Sequence, residues 1–278
     1  MTAFQKVIKY LAMAFAVFLT VSILGGLLSA TSLLGVFHAT DAVLEENKVY
    51  QVQPGIRSLD IRINAADVTI RQAEGFSVES NLKYLSVAEN DGVLVIKEEK
   101  KYAATYTDAV LTLCVPAGTE FEKVNITTGA AKLTADTLSA KSLKLQLGAG
   151  DVSIGNLNAR TEADIEGGAG RITVAGGILN DLDLEMGAGE LNLTAALLGD
   201  SDLALGVGES NLTLIGSKEE YRVDIEKGLG SVTVDGKAVS GFRSTTGDNR
   251  VEIEGGIGAI HLRFQEAAAS LRTAAAGT

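Results

Sequence analysis

Apolar and polar residues alternate in short segments along most of this chain, and the segments recur at intervals of roughly 19 to 20 residues. Alternation with a period of two is typical of a half-buried β-strand, and a repeat of this length predicts a stacked array of coils. Each coil turns at a Gly-x-Gly corner, and a degenerate corner at Thr128-Gly129-Ala130-Ala131 precedes the others. The corners are bounded by Gly148 and Gly150, Gly168 and Gly170, Gly187 and Gly189, Gly206 and Gly208, Gly228 and Gly230, and Gly256 and Gly258.

Three columns are apolar when the coils are superposed on the first residue of the corner. The column three residues before the corner is apolar in every coil, and the columns four and six residues after it are interrupted only by Ser210. We therefore expect an all-β, single-domain β-solenoid, similar to a parallel β-helix, in which the coils stack into one core. The first column consists of Ile61, Ile126, Leu145, Ile165, Leu184, Leu203, Ile225 and Ile253.

Glycine is expected at the corners because a sharp turn requires a positive φ, which glycine adopts without a Cβ clash. The middle residue of the corner is often alanine, which predicts a position crowded by backbone. A Gly-x-Gly sequence also occurs in phosphate-binding loops, but those loops are followed by a helix. Here a strand pattern follows each corner, so nucleotide binding is not expected.

The region 73–123 interrupts the periodicity and is expected to cap the N-terminal end of the stack. Asn90-Asp91-Gly92 precedes an apolar run and predicts a β-hairpin. The charged run at 97–101 predicts a solvated turn. Near the other end, the longer spacing between the last two corners predicts a loop at 241–249.

The sequence before the repeats contains no charged residue from Tyr10 to Phe37. This run exceeds the ~20 apolar residues that span a bilayer, so an uncleaved transmembrane helix is favoured over a cleaved signal peptide, which has a shorter apolar region. Lys6 and Lys9 precede the run, so the positive-inside rule places the N-terminus in the cytoplasm and the rest outside the cell membrane. The expected organisation is a cytoplasmic tail at 1–9, a transmembrane anchor helix at 10–37, a juxtamembrane linker at 38–50, an extracytoplasmic solenoid at 51–265 with a strand-rich N-terminal cap at about 71–123, and a flexible tail at 266–278.

The net charge of the chain limits the classes of binding partner that are expected. The chain has a formal net charge of −11, to which Lys6 and Lys9 contribute +2, so the remainder carries −13. This acidity argues against nucleic acid and anionic lipid as direct partners and is compatible with cations, cationic peptides or basic proteins. The single cysteine, Cys114, excludes an intrachain disulfide and is expected to be buried in its apolar strand.

Acidic residues recur at the outward positions of the strand that precedes the corner. Because neighbouring coils lie about 4.8 Å apart, we expect a carboxylate ladder on this face. The pattern is consistent with a solvated acidic surface, with a surface for cations such as calcium, which prefers carboxylate oxygens, and with an interface to a basic partner. On the strand after the corner, a column of Thr, Ser and Asn predicts hydrogen bonds along the stack. The predicted ladder consists of Asp164, Asp183, Asp202 and Asp224, flanked by Glu166, Glu185 and Glu226.

Three segments outside the corners carry a family resemblance. Residues 111–118 end a strand in a Pro-x-Gly turn, residues 124–129 lead into the repeats, and residues 247–250 precede the last coil. Together with the Gly-x-Gly coils, they resemble the candidate-adhesin (LiaG-like) domain family of unknown function from Gram-positive bacteria, over roughly residues 50–265. The resemblance implies a membrane-anchored, extracytoplasmic β-solenoid and supplies no catalytic residue.

No catalytic motif is present in the sequence. The chain has no Trp and only 5% aromatic residues for stacking sugars, and its two histidines, His38 and His261, are isolated. We therefore expect a non-enzymatic surface interaction or adhesin-like module, with no cofactor apart from an open possibility of calcium. The alternative is an accessory or regulator of a cell-envelope stress response that acts through partner membrane proteins. The envelope polymer or protein that it contacts, and its oligomeric state, are left open.

Overall fold

The computed structural model describes residues 44–99 and 108–266. This part of the chain is almost entirely β-strand, with one short 3-10 turn at Lys218–Glu220. The predicted tail at 1–9, the predicted anchor at 10–37 and nearly all of the predicted tail at 266–278 lie outside the described residues. Within the described ranges, no helix is long and apolar enough to cross a membrane.

Seventeen strands follow one another in the described residues. Residues 44–50, expected to be a linker, form most of the first strand, because they pair antiparallel with the fourth. The strands are β1 Leu44–Gln51, β2 Ser58–Ile63, β3 Asp67–Ala73, β4 Ser77–Leu82, β5 Leu85–Asn90, β6 Val93–Glu98, β7 Val110–Pro116, β8 Phe121–Ala130, β9 Lys132–Val174, β10 Gly177–Asn180, β11 Leu182–Leu198, β12 Asp200–Ile215, β13 Tyr221–Glu226, β14 Leu229–Val234, β15 Lys237–Val239, β16 Phe242–Arg243 and β17 Asn249–Gln265.

The apolar columns form one continuous core, as the alternation predicts. Every residue of the three columns is buried, including Ser210, and Cys114 is buried as expected. The long strands pass through the corners, so the segments before and after each corner form two parallel-paired walls. Wall 1 contains, in stacking order, residues 93–97, 58–62, 123–127, 142–146, 162–166, 181–185, 200–204, 250–254 and 222–226. Wall 2 contains residues 110–113, 67–70, 132–135, 151–154, 171–174, 190–193, 209–212, 259–262 and 231–234.

A third wall closes the central coils, and the two-segment repeat does not predict it. It contains residues 138–140, 157–159, 177–179 and 195–197, with parallel pairing of β10 to both β9 and β11. Leu138, Leu157, Leu179 and Leu197 point into the core and are buried. Each segment is only about three residues long, which is too short for alternation to stand out from a turn.

The stacking order differs from the chain order at both ends. β17 lies between β12 and the pair β13–β14, because Ile253 is in register with Leu203 on one side and Ile225 on the other. At the N-terminal end, β2 and β3 likewise lie between β6–β7 and β8–β9. The expectation that Asp202 and Asp224 are neighbours is therefore wrong, because Glu252 lies between them. The periodicity of the side chains determines the register between coils but not the order in which the coils stack. Residues 235–248 connect the terminal coil, β13–β14, to β17, which lies between that coil and β12.

Antiparallel strands cover both ends of the stack. β5 pairs with β6 and β4 with β7 at one end, whereas β15 pairs with β14 and β16 with β13 at the other. The predicted hairpin is confirmed, since Asp91 and Gly92 have φ values of 50° and 80° between β5 and β6. The predicted loop at 241–249 is in part β16, which shields an edge that would otherwise invite pairing with another chain.

The two glycines of a corner are required for different reasons. Gly189 has a φ of 131°, and a Cβ there would lie 1.8 Å from the carbonyl oxygen of Gly170 on the neighbouring coil. Gly187 lacks a left-handed φ, but its Cβ would lie 2.5 Å from the carbonyl oxygen of Gly168. Positive φ therefore explains only the second glycine, and close approach of the coils explains both.

We expect Gly189→Ala to destabilise the fold by more than about 2 kcal/mol, because the new methyl group needs a strained φ and displaces the backbone of a neighbouring coil. The measurement is urea unfolding of the full chain in non-ionic detergent, followed by circular dichroism. Gly75→Ala is the matched control, because nothing lies within 4 Å of a Cβ at that position. Equal unfolding midpoints for the two variants contradict the close contact of the coils.

Candidate functional site

The outer side of wall 1 carries a dense group of carboxylates. Asp183 is in register with Asp164 on one side and Asp202 on the other, and Glu185 is in register with Glu166. The register of the predicted ladder is therefore confirmed for Asp164, Asp183 and Asp202, which lie on three successive coils. We call the position of one coil in the stack a rung. One further column, two residues before the aspartates, adds more carboxylates. We call this surface the acidic face, and it consists of Glu162, Asp164, Glu166, Asp181, Asp183, Glu185, Asp200 and Asp202.

Lys144 neutralises one end of the acidic face. Its Nζ lies 2.5 Å from Oδ2 of Asp164 and 3.0 Å from Oε1 of Glu166. These hydrogen bonds raise the pKa of Lys144 to about 12. Hydrogen bonds from Lys144 and Gln146 also lower the pKa of Glu166 below its ordinary value. This end of the face is thus a compact ion-pair cluster on the surface.

Arginines neutralise the other end. Arg250 pairs with Glu252, and its Nη1 also lies 3.5 Å from Oδ1 of Asp202. On the terminal coil, Arg243 Nη2 lies 2.5 Å from Oδ2 of Asp224, and this contact raises the pKa of Arg243. Asp224 and Glu226, which the sequence places in the ladder, therefore sit two coils away from Asp202 and beside a cation from β16.

No cation forms a direct ion pair with the centre of the acidic face in the described part of the chain. The side chains of Asp183, Glu185 and Asp200 make no hydrogen bond or ion pair with any residue in 44–99 or 108–266. Burial raises the pKa of Asp183 above its ordinary value, the charges of Asp164, Asp202 and Glu166 raise it further, and the charge of Lys144 offsets part of this rise. The fold thus holds several like charges side by side, at a small cost that solvent and salt reduce.

The carboxylates of the acidic face point outward from parallel rungs and do not converge on one point. Among the residues that the structure describes, no group of three or more His, Cys, Asp or Glu side chains is arranged to hold a metal ion. Calcium needs six to eight oxygens at about 2.3–2.6 Å, whereas neighbouring rungs repeat at about 4.8 Å. Calcium binding to this surface stays a prediction.

The polar column on the outer side of wall 2 forms hydrogen bonds along the stack in two places. Asn211 Nδ2 donates to Oδ1 of Asn192 over 3.1 Å, and Thr233 Oγ1 lies 2.8 Å from Nδ1 of His261. Both bonds join neighbouring coils, so this column strengthens the stack as the sequence predicts. His261 accordingly lies on an outer wall and has a structural contact there.

The middle residues of the last three corners form an exposed aliphatic ridge that the sequence reading missed. Val207 is in register with Ile257, and Ile257 with Leu229. Their side chains are 46%, 40% and 71% exposed, respectively. The expectation of a crowded middle position is therefore wrong for the last three corners, where the middle side chain is exposed, whereas the middle alanines of the corners at 148–150, 168–170 and 187–189 are half-buried. We call these three residues the corner ridge.

A signal for the corner ridge is present in the sequence. The middle residue is alanine in the corners at 148–150, 168–170 and 187–189, and changes to valine, isoleucine or leucine only in the last three coils. The second glycine of the corner has the same positive φ beside the alanines as beside Val207 and Ile257, so the fold does not require the larger side chains at these two positions. Gly230, beside Leu229, lacks this φ.

Glu98 is a second residue that the sequence reading missed. Its place in a charged run predicts a solvated turn, but its side chain is buried, with 6% exposure. Oε2 of Glu98 accepts hydrogen bonds from the backbone N–H groups of Asn64 and Ala65, at 2.7 and 3.4 Å. The carboxylate thus accepts hydrogen bonds from backbone N–H groups of the corner at 64–66, which would otherwise lack this partner.

We expect Asp183→Asn to stabilise the fold slightly at pH 7, by less than about 1 kcal/mol because the group is largely exposed. A folded-state pKa above the unfolded one means that ionisation opposes folding once the pH rises through these values, so the gain vanishes at pH 3. Urea unfolding at the two pH values measures the difference. Asp136→Asn, on an exposed carboxylate without a partner among the described residues, is the control. Destabilisation by Asp183→Asn that appears only with millimolar calcium contradicts this account and indicates a cation site.

Several solved structures are similar to this chain. A candidate cell adhesion protein from Clostridium sporogenes is 14% identical, with a TM-score of 0.40, and the match covers 79% of this chain and 99% of that chain. A candidate adhesin from Parabacteroides merdae is 16% identical, with a TM-score of 0.39 and coverage of 80% and 97%. A candidate lipid binding protein from Parabacteroides distasonis is 12% identical, with a TM-score of 0.41 and coverage of 77% and 96%.

The sequence also matches a family of domains. No curated protein matches the chain. The family described as Toastrack DUF4097 matches residues 56–262, which include both walls of the stack and all of the Gly-x-Gly corners. This match confirms the resemblance to an adhesin-type domain family of unknown function, and the chain belongs to the Toastrack DUF4097 family.

Proposed function

We propose that this protein is a non-enzymatic surface interaction module that binds basic partners through the acidic face. The observation that carries the proposal is the set of central carboxylates that form no ion pair with a described residue, Asp183, Glu185 and Asp200. They lie on neighbouring rungs of a stacked sheet, so their spacing is fixed before any partner arrives. A preformed array of charges of one sign attracts a partner of the opposite charge and increases the rate of association.

The placement of the charges supports a binding role in preference to a purely solvated surface. Lys144 and Arg250 neutralise the two ends of the acidic face, and the centre between them is left open. A basic partner would supply the missing cations at the centre and relieve the mutual repulsion of the aspartates. Because the face is exposed, each new ion pair contributes only about 0.2–1 kcal/mol, and several pairs are needed for specific binding.

The proposal of a non-enzymatic role rests on the regularity of the acidic face. A pair of carboxylates that acts as acid and base needs two different environments, in which the two pKa values are pushed apart. Here burial and the like charges of Asp164 and Asp202 raise the pKa of Asp183, and the aspartates repeat at a fixed spacing along an exposed outer wall instead of forming one isolated pair. This arrangement suits a binding surface.

We also propose that the module is displayed outside the cell membrane, held by residues 10–37 as a single-pass anchor. The uncharged run between Tyr10 and Phe37, with Lys6 and Lys9 before it, supports this topology. An anchored, acidic module of this kind meets basic groups of envelope proteins or peptides from a fixed position on the surface.

We expect the full chain to bind a lysine homopolymer, and the combined changes Asp183→Asn, Glu185→Gln and Asp200→Asn to weaken binding by roughly tenfold. The chain is held on a sensor surface in non-ionic detergent, and binding is measured over a range of salt concentrations. Affinity should fall as salt rises, because exposed charges are screened.

The control removes the same charge elsewhere, with Glu74→Gln, Asp136→Asn and Glu219→Gln, which change exposed acids outside the acidic face. An equal loss in both triple variants shows that binding follows net charge alone and contradicts a site on wall 1. A rise in the unfolding midpoint of the wild type in millimolar calcium, absent from the first triple variant, makes the face a cation surface instead.

A further inference from the structure

The corner ridge is the largest run of exposed aliphatic side chains that the described residues place together. Val207, Ile257 and Leu229 occupy three successive rungs at about 4.8 Å spacing, so the ridge is roughly 10 Å long. Single exposed apolar residues are normal on a protein surface. A contiguous apolar group rimmed by charges is instead typical of a contact site.

The fold gives no reason for these side chains. The corners at 148–150, 168–170 and 187–189 have alanine in the middle and the same positive φ at the second glycine as the corners at 206–208 and 256–258, and they stack about as closely. Leu229 is 71% exposed, and Val207 and Ile257 are 46% and 40% exposed, so much of the added apolar surface is not covered by the described coils. This uncovered surface is available to a contact from outside them.

The rim of the corner ridge is acidic. Glu254 and Glu226 precede the corner on neighbouring rungs of wall 1, and Glu209 follows it on wall 2. Within residues 206–209, 226–231 and 254–259, Lys227 is the only cation. A second copy of this chain would bring like charges together across such a contact, which is unfavourable. Charge complementarity favours a partner that is both apolar and cationic.

The end of the corner ridge lies beside an open edge of the sheet. On the outer side of the terminal coil, β16 pairs with Asp224 and Ile225, and β15 pairs with residues 232–234. No strand among the described residues pairs with the outer side of the corner between them, at 226–231. Leu229, in the middle of this gap, is the most exposed residue of the ridge. An extended segment could add hydrogen bonds to the open backbone there while its apolar side chains cover the ridge.

We propose that the corner ridge and its carboxylate rim form a docking site for an extended cationic, amphipathic peptide segment of a partner. This inference rests on the proposed function in one respect, that the partner is basic. It adds that recognition also requires apolar side chains and that the contact is centred on the last three coils. Acidic and apolar contacts then act together, the apolar ones giving affinity and the charges setting orientation.

The test compares two short peptides of equal length, one with alternating Leu and Lys and one in which Ser replaces every Leu. The full chain in non-ionic detergent is held on a sensor surface. We expect the Leu–Lys peptide to bind about tenfold more tightly than the Ser–Lys peptide. The combined changes Val207→Ala, Ile257→Ala and Leu229→Ala should abolish this preference and leave binding of the Ser–Lys peptide unchanged.

The alanine variant is expected to fold, because it repeats the residues of the other corners, and an unchanged urea midpoint verifies this. Val49→Ala, which removes an exposed apolar side chain on β1, is the control and should keep the preference for the Leu–Lys peptide. Equal binding of the two peptides to the wild type, or a preference that survives in the triple alanine variant, overturns the docking site alone. Failure of both peptides to bind the wild type overturns the proposed function.

Discussion

The whole stack depends on how closely the backbones of neighbouring coils approach at the corners. A Cβ on Gly208 would lie 1.8 Å from the carbonyl oxygen of Gly189, and a Cβ on Gly258 would lie 1.7 Å from that of Gly208. No side chain fits in such a space, so glycine recurs at the corners from 148–150 onward, and β9, β11, β12 and β17 continue from wall 1 to wall 2 without a loop. The core columns and the outer columns keep their register because this approach fixes the position of each coil.

The acidic face and the corner ridge are consequences of this geometry. Because the coils are held in register, any residue type that recurs at an outward position becomes a continuous stripe. On wall 1 the stripe is carboxylate, and its free centre at Asp183 lies between cations at Lys144 and Arg250. At the corners the stripe changes from alanine to larger aliphatic residues toward the last coils. The proposed binding surfaces thus arise from small changes along columns that the core leaves unconstrained.

Much of this architecture could be predicted from the sequence, because its signals are local and repeated. Alternation around Ile165 and Ile172 gave the core positions, and the glycines gave the corners. The third wall at Leu157 and Leu179 could not be predicted, because its segments are too short for a period to emerge. The order of the coils could not be predicted either, since a parallel register of Ile253 with Ile225 or with Leu203 fits the same pattern. For the site, the acidic rungs at Asp164 to Asp202 followed from the period, whereas Arg243 comes from β16 outside the period, and Arg250 reaches Asp202 because β17 stacks directly on β12.

The position of β17 within the stack affects how the protein can be made. β17, the last strand among the described residues, is an internal rung, with β12 on one side and β13–β14 on the other. During synthesis, residues 221–234 emerge before the strand that separates them from the rest of the stack. The terminal coil must therefore wait for residues 249–265, or rest against β12 and later give up that place. Removal of the last strand would leave a gap inside the molecule, so this solenoid cannot be shortened from its C-terminus one coil at a time.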